Sequence, residues 1–123
     1  MSVLVVDDDP IVLASCRRIL EAEGISLETA TSVAEALVAM ARRSFGLLIV
    51  DLKMPEHDGL HLLERVRESG VHVPVIVMSG YPTSDAIQSS LESGAYAFIP
   101  KPFTPEELLT SVQFVAPQER QGG

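Results

Sequence analysis

Residues 3–10 read VLVVDDDP, an apolar run that ends in three consecutive aspartates and a proline. The run lacks the polar alternation of a half-exposed strand, so it predicts a strand buried on both faces, as in a parallel sheet. Asp9 followed by Pro10 predicts a helix start, with the aspartate as N-cap and the proline in the first turn. A buried strand that leads directly into a helix is typical of α/β domains.

The same pattern, a short apolar run followed by a helical segment, recurs along the chain. Non-alternating runs occupy residues 3–6, 47–50, 75–78 and 96–99, and residues 26–30 alternate as an edge strand does. Between them, helical periodicity with start and stop signals predicts five helices, which begin after Asp9, at Ser32, near Asp58, at about Ser84 and at Thr104. Five alternating strands and helices predict a doubly wound α/β domain with helices on both faces of one parallel sheet.

Two finer structural predictions concern the second helix and the C-terminal end. Val33, Leu37 and Val38 are predicted to lie on the core-facing side of the second helix. Residues 117–123, PQERQGG, are polar and predict a flexible C-terminal tail or the start of a linker, so the folded domain is expected to cover residues 1–116.

The composition of the chain argues against several classes of function. The 123 residues are 46% hydrophobic and 21% charged, which fits one globular domain without disulfides. A net charge of −8 leaves no basic surface for a phosphate backbone, so direct nucleic-acid binding is not expected. Cys16 is the only cysteine and the start MSVLVV has no signal-peptide features, so we expect a cytoplasmic protein without membrane association.

Polar side chains follow the predicted strands at the points where the strands end. Asp7 and Asp8 follow the first strand, Asp51 the third, Ser79 the fourth and Lys101 the fifth. Because the carboxyl ends of parallel strands meet at one edge of a sheet, we expect these side chains to share one crevice. Clustered carboxylates need a positive charge among them, and hard oxygen ligands favour Mg²⁺. The sequence therefore predicts a magnesium site.

A simpler interpretation of the three aspartates is a charged turn between a strand and a helix, since such turns are common. Asp51 argues against it, because this aspartate ends the apolar run 47–50, where an unpaired charge would be costly. Asp9, as the predicted helix cap, need not belong to the metal site.

Four stretches in this order resemble the receiver domain of two-component response regulators. They are VVDDDP (5–10), IVDLKMPEHDG (49–59), VIVMSG (75–80) and GAYAFIPKPF (94–103), and the similarity spans residues 2–116. The resemblance implies a flavodoxin-like fold with strand order 2-1-3-4-5. It also implies a receiver domain over residues 1–116, followed by the tail or linker start at 117–123.

The resemblance assigns a role to each carboxylate. Asp51 is implied as the phosphoacceptor. Mg²⁺ (or Mn²⁺) is implied to bind Asp7, Asp8, Asp51 and the backbone carbonyl of Lys53. A carboxylate is ionised at pH 7 and can attack phosphorus without a general base, so the implied chemistry is physically reasonable.

The remaining site positions are implied in the same way. Ser79 and Lys101 are implied to bind phosphoryl oxygens, and the peptide bond after Lys101 to be cis. Ser79 and Phe98 correspond to the switch positions, where the family often has Thr and Tyr, so Phe98 lacks the hydroxyl of the more common residue. Lys53 and Tyr81 are implied to flank the site and to modulate hydrolysis.

The implied function is that of a signalling domain which catalyses only its own phosphorylation and dephosphorylation. The donor would be a phosphohistidine on a sensor histidine kinase or phosphotransfer protein. Phosphorylation would change the surface of the fourth helix, fifth strand and fifth helix. That surface would control an effector domain or protein, on the same larger chain or a separate one, and a homodimer through it is a further option.

Three other functions compete with this one. A degenerate receiver could act as a phosphorylation-independent protein-binding module, although such domains usually lack an acidic or lysine position that is present here. A phosphatase of the haloacid dehalogenase type would have a second aspartate where this chain has Lys53. A flavodoxin-like redox carrier is disfavoured by the 5% aromatic content and by the lack of an obvious phosphate-binding loop.

Overall fold

The structure is a computed structural model that describes residues 1–54 and 59–122, with side chains described through residue 115. Five strands and five helices alternate along these residues, as predicted. The strands are β1 (Ser2–Val6), β2 (Ser26–Ala30), β3 (Leu47–Asp51), β4 (Val75–Ser79) and β5 (Ala97–Pro100). The helices are α1 (Pro10–Ala22), α2 (Val33–Arg42), α3 (Gly59–Ser69), α4 (Ser84–Glu92) and α5 (Pro105–Gly122).

All neighbouring strands are parallel and lie in the order β2-β1-β3-β4-β5. Successive side chains of β1 alternate between two core layers: Val3 and Val5 face α1 and α5, whereas Leu4 and Val6 face α2 and α3. Every residue of β3 and β4 is buried. The prediction of a doubly wound sheet covered on both faces is confirmed.

Side-chain caps fix the starts of the helices nearest the predicted crevice. The Asp9 carboxylate accepts a hydrogen bond of 2.9 Å from the N–H two residues further on, which confirms its role as the N-cap of α1. At α5, the Thr104 hydroxyl accepts from the Glu107 N–H and the Glu107 carboxylate accepts from the Thr104 N–H, as in a capping box. The predicted start of α3 at Asp58 lies outside the described residues.

The core-facing side of α2 differs from the prediction at one position. Val33 is buried and Leu37 packs partly against the core, as expected, but Val38 is 51% exposed. Val38 is five residues after Val33, which places it about 140° further round the helix. Ala36 takes the buried position instead, so including Val38 in the stripe was wrong.

Helix α5 continues to Gly122, past residue 116, where the sequence predicts that the folded domain ends. The division into residues 1–116 and a tail or linker stays a prediction. Among the described helices, none combines the length and the apolar composition that crossing a bilayer requires.

Candidate functional site

The ends of β1 and β3 bring the three predicted carboxylates together. The two strands pair with Val6 opposite Val50, so Asp7 and Asp51, one position further on, lie side by side. One carboxylate oxygen from each of Asp7, Asp8 and Asp51 lies within 4.8 Å of the others. Asp7 is fully buried and Asp51 is 5% exposed, whereas Asp8 is exposed to solvent.

Lys101 supplies the positive charge in this cluster. Its Nζ lies 2.7 Å from an Asp7 carboxylate oxygen and 3.2 Å from an Asp51 carboxylate oxygen. The second Asp7 oxygen accepts a hydrogen bond of 2.9 Å from the Asp9 N–H. Two carboxylates that strands bury side by side are thus neutralised in part by one ammonium group and in part by a backbone donor.

Burial and neighbouring charges shift the pKa values in the site. Burial, and then the charge of Asp7, raise the pKa of Asp51 to about 6, although Lys101 acts in the opposite direction. Burial alone would lower the pKa of Lys101, but its hydrogen bond to Asp7 and the charges of both aspartates raise it above the ordinary value. Above pH 7, Asp51 is therefore mainly the anion, which is the nucleophilic form.

Cys16 is fully buried, near enough to Asp7 and Lys101 for their charges to act on its thiol. Burial, with a smaller contribution from the charge of Asp7, raises the pKa of its thiol to about 12. The thiol is therefore neutral at physiological pH and packs in the core layer of α1 and α5.

Ser79 ends β4 beside this cluster and is fully buried. Its hydroxyl oxygen accepts a hydrogen bond of 3.0 Å from the Tyr81 N–H, which closes the turn before α4. Its backbone carbonyl accepts from the Lys101 N–H at 2.7 Å, which joins the ends of β4 and β5. A hydroxyl that accepts one hydrogen bond still has its own hydrogen to donate.

Gly59 is a site residue whose contribution the sequence interpretation missed. A Cβ atom added to this first residue of α3 would lie 2.5 Å from the Asp51 carbonyl oxygen and 3.1 Å from the Leu52 Cα. The Gly59 N–H also donates to the Leu52 carbonyl at 2.9 Å. Only glycine lets α3 begin this close behind Asp51, and a lone glycine after an aspartate gives no sequence signal of such a contact.

The other predicted site residues lie around the rim or beneath it. Lys53 is exposed, and its N–H points to an Asp51 carboxylate oxygen at 3.4 Å. Tyr81 is 70% exposed, and it lines one cavity with Lys53. Phe98 is partly buried and packs against the core layer of α2 and α3. The peptide bond after Lys101 is cis, as the resemblance implied.

An apolar groove of about 460 Å³ borders the site on the α1 side. Lys101, which pairs with Asp7 and Asp51, lines this groove together with Gly80, Phe103 and Ile11. Ile11 is 74% exposed. A partner that reaches Asp51 from this side would therefore meet an apolar surface.

The donor set fits a single Mg²⁺ ion. Ligand oxygens at 2.0–2.1 Å from Mg²⁺ are at most about 4.2 Å apart, close to the separations among the three carboxylates here. The exposure of Asp8 leaves one side of the site open to water, and Mg²⁺ usually keeps several water ligands.

The model of the response regulator receiver domain family matches residues 3–113 of the chain. The chain belongs to this family. It is 37% identical over 113 residues to the response regulator MprA of Mycobacterium leprae, an alignment that covers 92% of the chain and 50% of MprA. It is also 35% identical over 111 residues to the DNA-binding transcriptional regulator NtrC of Escherichia coli, covering 90% of the chain and 24% of NtrC.

Solved structures agree with the sequence relatives. A CheY-like receiver domain protein from Methanospirillum hungatei superposes with a TM-score of 0.93 at 33% identity, covering 99% of this chain and 98% of that one. The chain is therefore a receiver domain of two-component signalling, with the predicted flavodoxin-like fold and strand order. It spans about half the length of MprA and of the response regulator protein TodT of Pseudomonas putida.

Proposed function

We propose that this receiver domain accepts a phosphoryl group on Asp51 with the help of Mg²⁺ and passes the signal to an output partner. The observation that carries the proposal is the convergence of Asp7, Asp8, Asp51 and Lys101 at the carboxyl ends of three strands. The buried Asp51 carboxylate is the nucleophile. The two neighbouring carboxylates and the ammonium group of Lys101 supply the charges that phosphoryl transfer needs around it.

Asp7, Asp8, Asp51 and the Lys53 backbone carbonyl would hold the Mg²⁺, which when bound neutralises negative charge on the phosphoryl oxygens. An Asp51 oxygen forms the new bond to phosphorus while the bond from phosphorus to the donor imidazole nitrogen breaks. The imidazole keeps the electron pair of that bond. Lys101 pairs with one phosphoryl oxygen, and this ion pair replaces the one that Lys101 makes with Asp51 before phosphorylation.

The product is an acyl phosphate, which water hydrolyses back to the free carboxylate. The Lys53 backbone N–H points to Asp51, and Lys53 and Tyr81 line one cavity, from which their side chains can obstruct or orient the attacking water. We propose that these two residues set the lifetime of the phosphorylated state, so that the domain limits its own signal.

The apolar groove beside Lys101 suits the protein that carries the phosphohistidine. Lys101 of the site lines this groove, and so do Phe103 and the exposed Ile11 side chain. A donor protein that packs apolar residues there would place its phosphohistidine near Asp51. A sensor histidine kinase or a phosphotransfer protein is the proposed donor.

The output side of the switch involves Ser79 and Phe98. A phosphoryl oxygen on Asp51 can accept the hydroxyl hydrogen of Ser79, and if Ser79 moves towards it, the turn is drawn along by the hydrogen bond from the Tyr81 N–H to the Ser79 oxygen. Movement of that turn would reposition α4, and Phe98 would follow by moving inward. The changed surface of α4, β5 and α5 would control a downstream effector domain or protein, and a cytoplasmic location fits such a relay.

Incubation with acetyl phosphate, with and without Mg²⁺, tests the proposal by intact-mass measurement. We expect one phosphoryl adduct that requires Mg²⁺ and that the variant Asp51→Asn does not form. Glu64→Gln, on the exposed side of α3, is the matched control and is expected to be labelled like the parent chain.

Absence of an adduct in the parent chain, under conditions that label another receiver domain, would favour the phosphorylation-independent binding module. An adduct on Asp51→Asn would place the acceptor elsewhere. Either result contradicts the proposed chemistry.

A further inference from the structure

Helix α2 is apolar on its outer side as well as on its inner side. Of its ten residues, only Glu35 and Arg42 are charged, and the other eight are apolar. The inner side, which includes Val33 and Ala36, packs in the core layer of α2 and α3. A surface helix normally carries polar residues opposite its core-facing side, and a helix that is apolar all round is normally buried. We therefore expect the outer side of α2 to be covered as well.

An exposed stripe, here called the α2 face, consists of Ala34, Val38 and Ala41. Spacings of four and three residues place these side chains on one side of the helix. Val38, in the middle of the stripe, is 51% exposed. The neighbouring helix α3 instead exposes charged residues, including Glu64 and Arg65. The apolar outer side is thus a property of α2 and not of this whole layer of helices.

The two charged residues of α2 lie on the same flank of the α2 face, at its opposite ends. Seven residues separate Glu35 from Arg42, and seven residues fall only about 20° short of two full turns. The Glu35 carboxylate accepts two hydrogen bonds from Thr31, both through Oε1, so Oε2 is available for an ion pair. Arg42 is exposed. Opposite charges at the two ends make the face complementary to a second copy that runs in the opposite direction.

The surroundings of the α2 face are electrically neutral. Residues 26–46, which contain β2 and α2, include two glutamates and two arginines and no other charged residue, whereas the whole chain has a net charge of −8. Two copies that meet through α2 therefore avoid much of the repulsion that the net charge of the chain would cause.

We propose that two copies of the chain associate through α2, with the two helices packed antiparallel along the α2 face. Val38 of each copy then lies near the twofold axis, and Glu35 of each copy pairs with Arg42 of the other. Each helix is about 15 Å long, so the contact is smaller than the roughly 1,200 Å² of a stable interface, and the dimer is weak. The contact uses neither Asp51 nor the surface of α4, β5 and α5, so it does not rest on the proposed function.

Dilution of the unmodified ¹⁵N-labelled chain from about 2 mM to about 0.05 mM tests this dimer, because a weak complex dissociates over that range. We expect the amide shifts of residues 33–42 to change with concentration. Arg42→Glu brings two carboxylates together at both ends of the contact and should weaken association about tenfold. Arg17→Glu makes the same charge change on the exposed side of α1, across the sheet from α2, and should associate like the parent.

A charge exchange distinguishes a specific contact from a general loss of stability. Glu35→Lys alone brings two cations together and should also weaken association. An equal mixture of Arg42→Glu and Glu35→Lys restores opposite charges at both ends of the contact and should associate like the parent. Because Glu35 caps α2, the dispersion of the amide spectrum checks that this variant is folded. If it is not, the comparison of Arg42→Glu with Arg17→Glu decides.

Four results would each overturn the proposal. They are amide shifts that do not depend on concentration, shifts that map outside α2, association of Arg42→Glu as strong as that of the parent, and a mixture of the two folded variants that does not associate.

Discussion

The floor and the rim of the phosphorylation site are built differently. The floor consists of Asp7, Asp51 and Lys101, which are buried or nearly so and are connected by ion pairs of 2.7 and 3.2 Å. The rim, represented by Ile11 and Tyr81, is more than two-thirds exposed. Changes in the floor should therefore alter both stability and chemistry, whereas changes at the rim should alter rates while leaving the fold intact.

Removal of the floor cation is expected to have the largest effect. Lys101→Met leaves two carboxylates side by side, with Asp7 fully buried and without its ion pair. Breaking a buried pair in this way should lower the free energy of unfolding by about 3 kcal/mol, measured by urea denaturation at pH 7.5 without divalent cations. Asp7→Asn in the same chain removes the unpaired buried charge and should restore part of the lost free energy of unfolding. A loss below about 1 kcal/mol would mean that water, not Lys101, solvates Asp7.

Removal of the Asp51 charge should raise the free energy of unfolding, whereas removal of the Lys101 charge lowers it. The pKa of Asp51 is raised from 3.8 to about 6 in the folded chain, so the folded state binds a proton more tightly than the unfolded state does. Ionised Asp51 therefore destabilises the parent chain above pH 6, and this cost disappears as the pH falls to about 4.

Without divalent cations, Asp51→Asn should accordingly unfold with a free energy higher by about 1 to 3 kcal/mol at pH 8, and the gain should fade towards pH 4. Mg²⁺ should narrow the difference at pH 8 because it binds the parent more tightly. Asp85→Asn, on an exposed helix turn, should show no such pH-dependent gain. A constant difference across the pH range would contradict the raised pKa.

The residues of the floor could be predicted from the sequence, whereas the glycine behind Asp51 could not. Parallel strands direct whatever follows them to one edge, so Asp7, Asp51 and Lys101 could be placed together from chain order alone. The need for glycine at position 59 could not be predicted, since it depends on how closely α3 approaches the Asp51 carbonyl oxygen. Such distances are fixed by the packing of elements far apart in the chain.

The exposure of apolar helix residues was also difficult to predict from the sequence. An apolar residue in an amphipathic helix is normally assigned to the core, yet Val38 is on the surface, and Ile11 extends into solvent beside the groove. The starts of both helices were predicted correctly, but the width of the buried stripe depends on how each helix packs against the sheet, which the sequence does not give. The apolar rim of the site therefore became visible only in the structure.

The smallest expected effect is that of a substitution at the rim. It should distinguish phosphorylation by acetyl phosphate from phosphorylation by a sensor kinase. Ile11→Ser removes an apolar contact from the groove but leaves the floor unchanged, so labelling by acetyl phosphate should proceed at the parent rate. Transfer from a phosphorylated sensor kinase that labels the parent should slow about fivefold, since one exposed apolar anchor contributes roughly 1 kcal/mol to an interface. Val38→Ser, an equally apolar exposed change on α2, should slow neither reaction. If Ile11→Ser slowed both donors, the side chain would support the floor itself, and the distinction between a structural floor and a recognition rim would fail at α1.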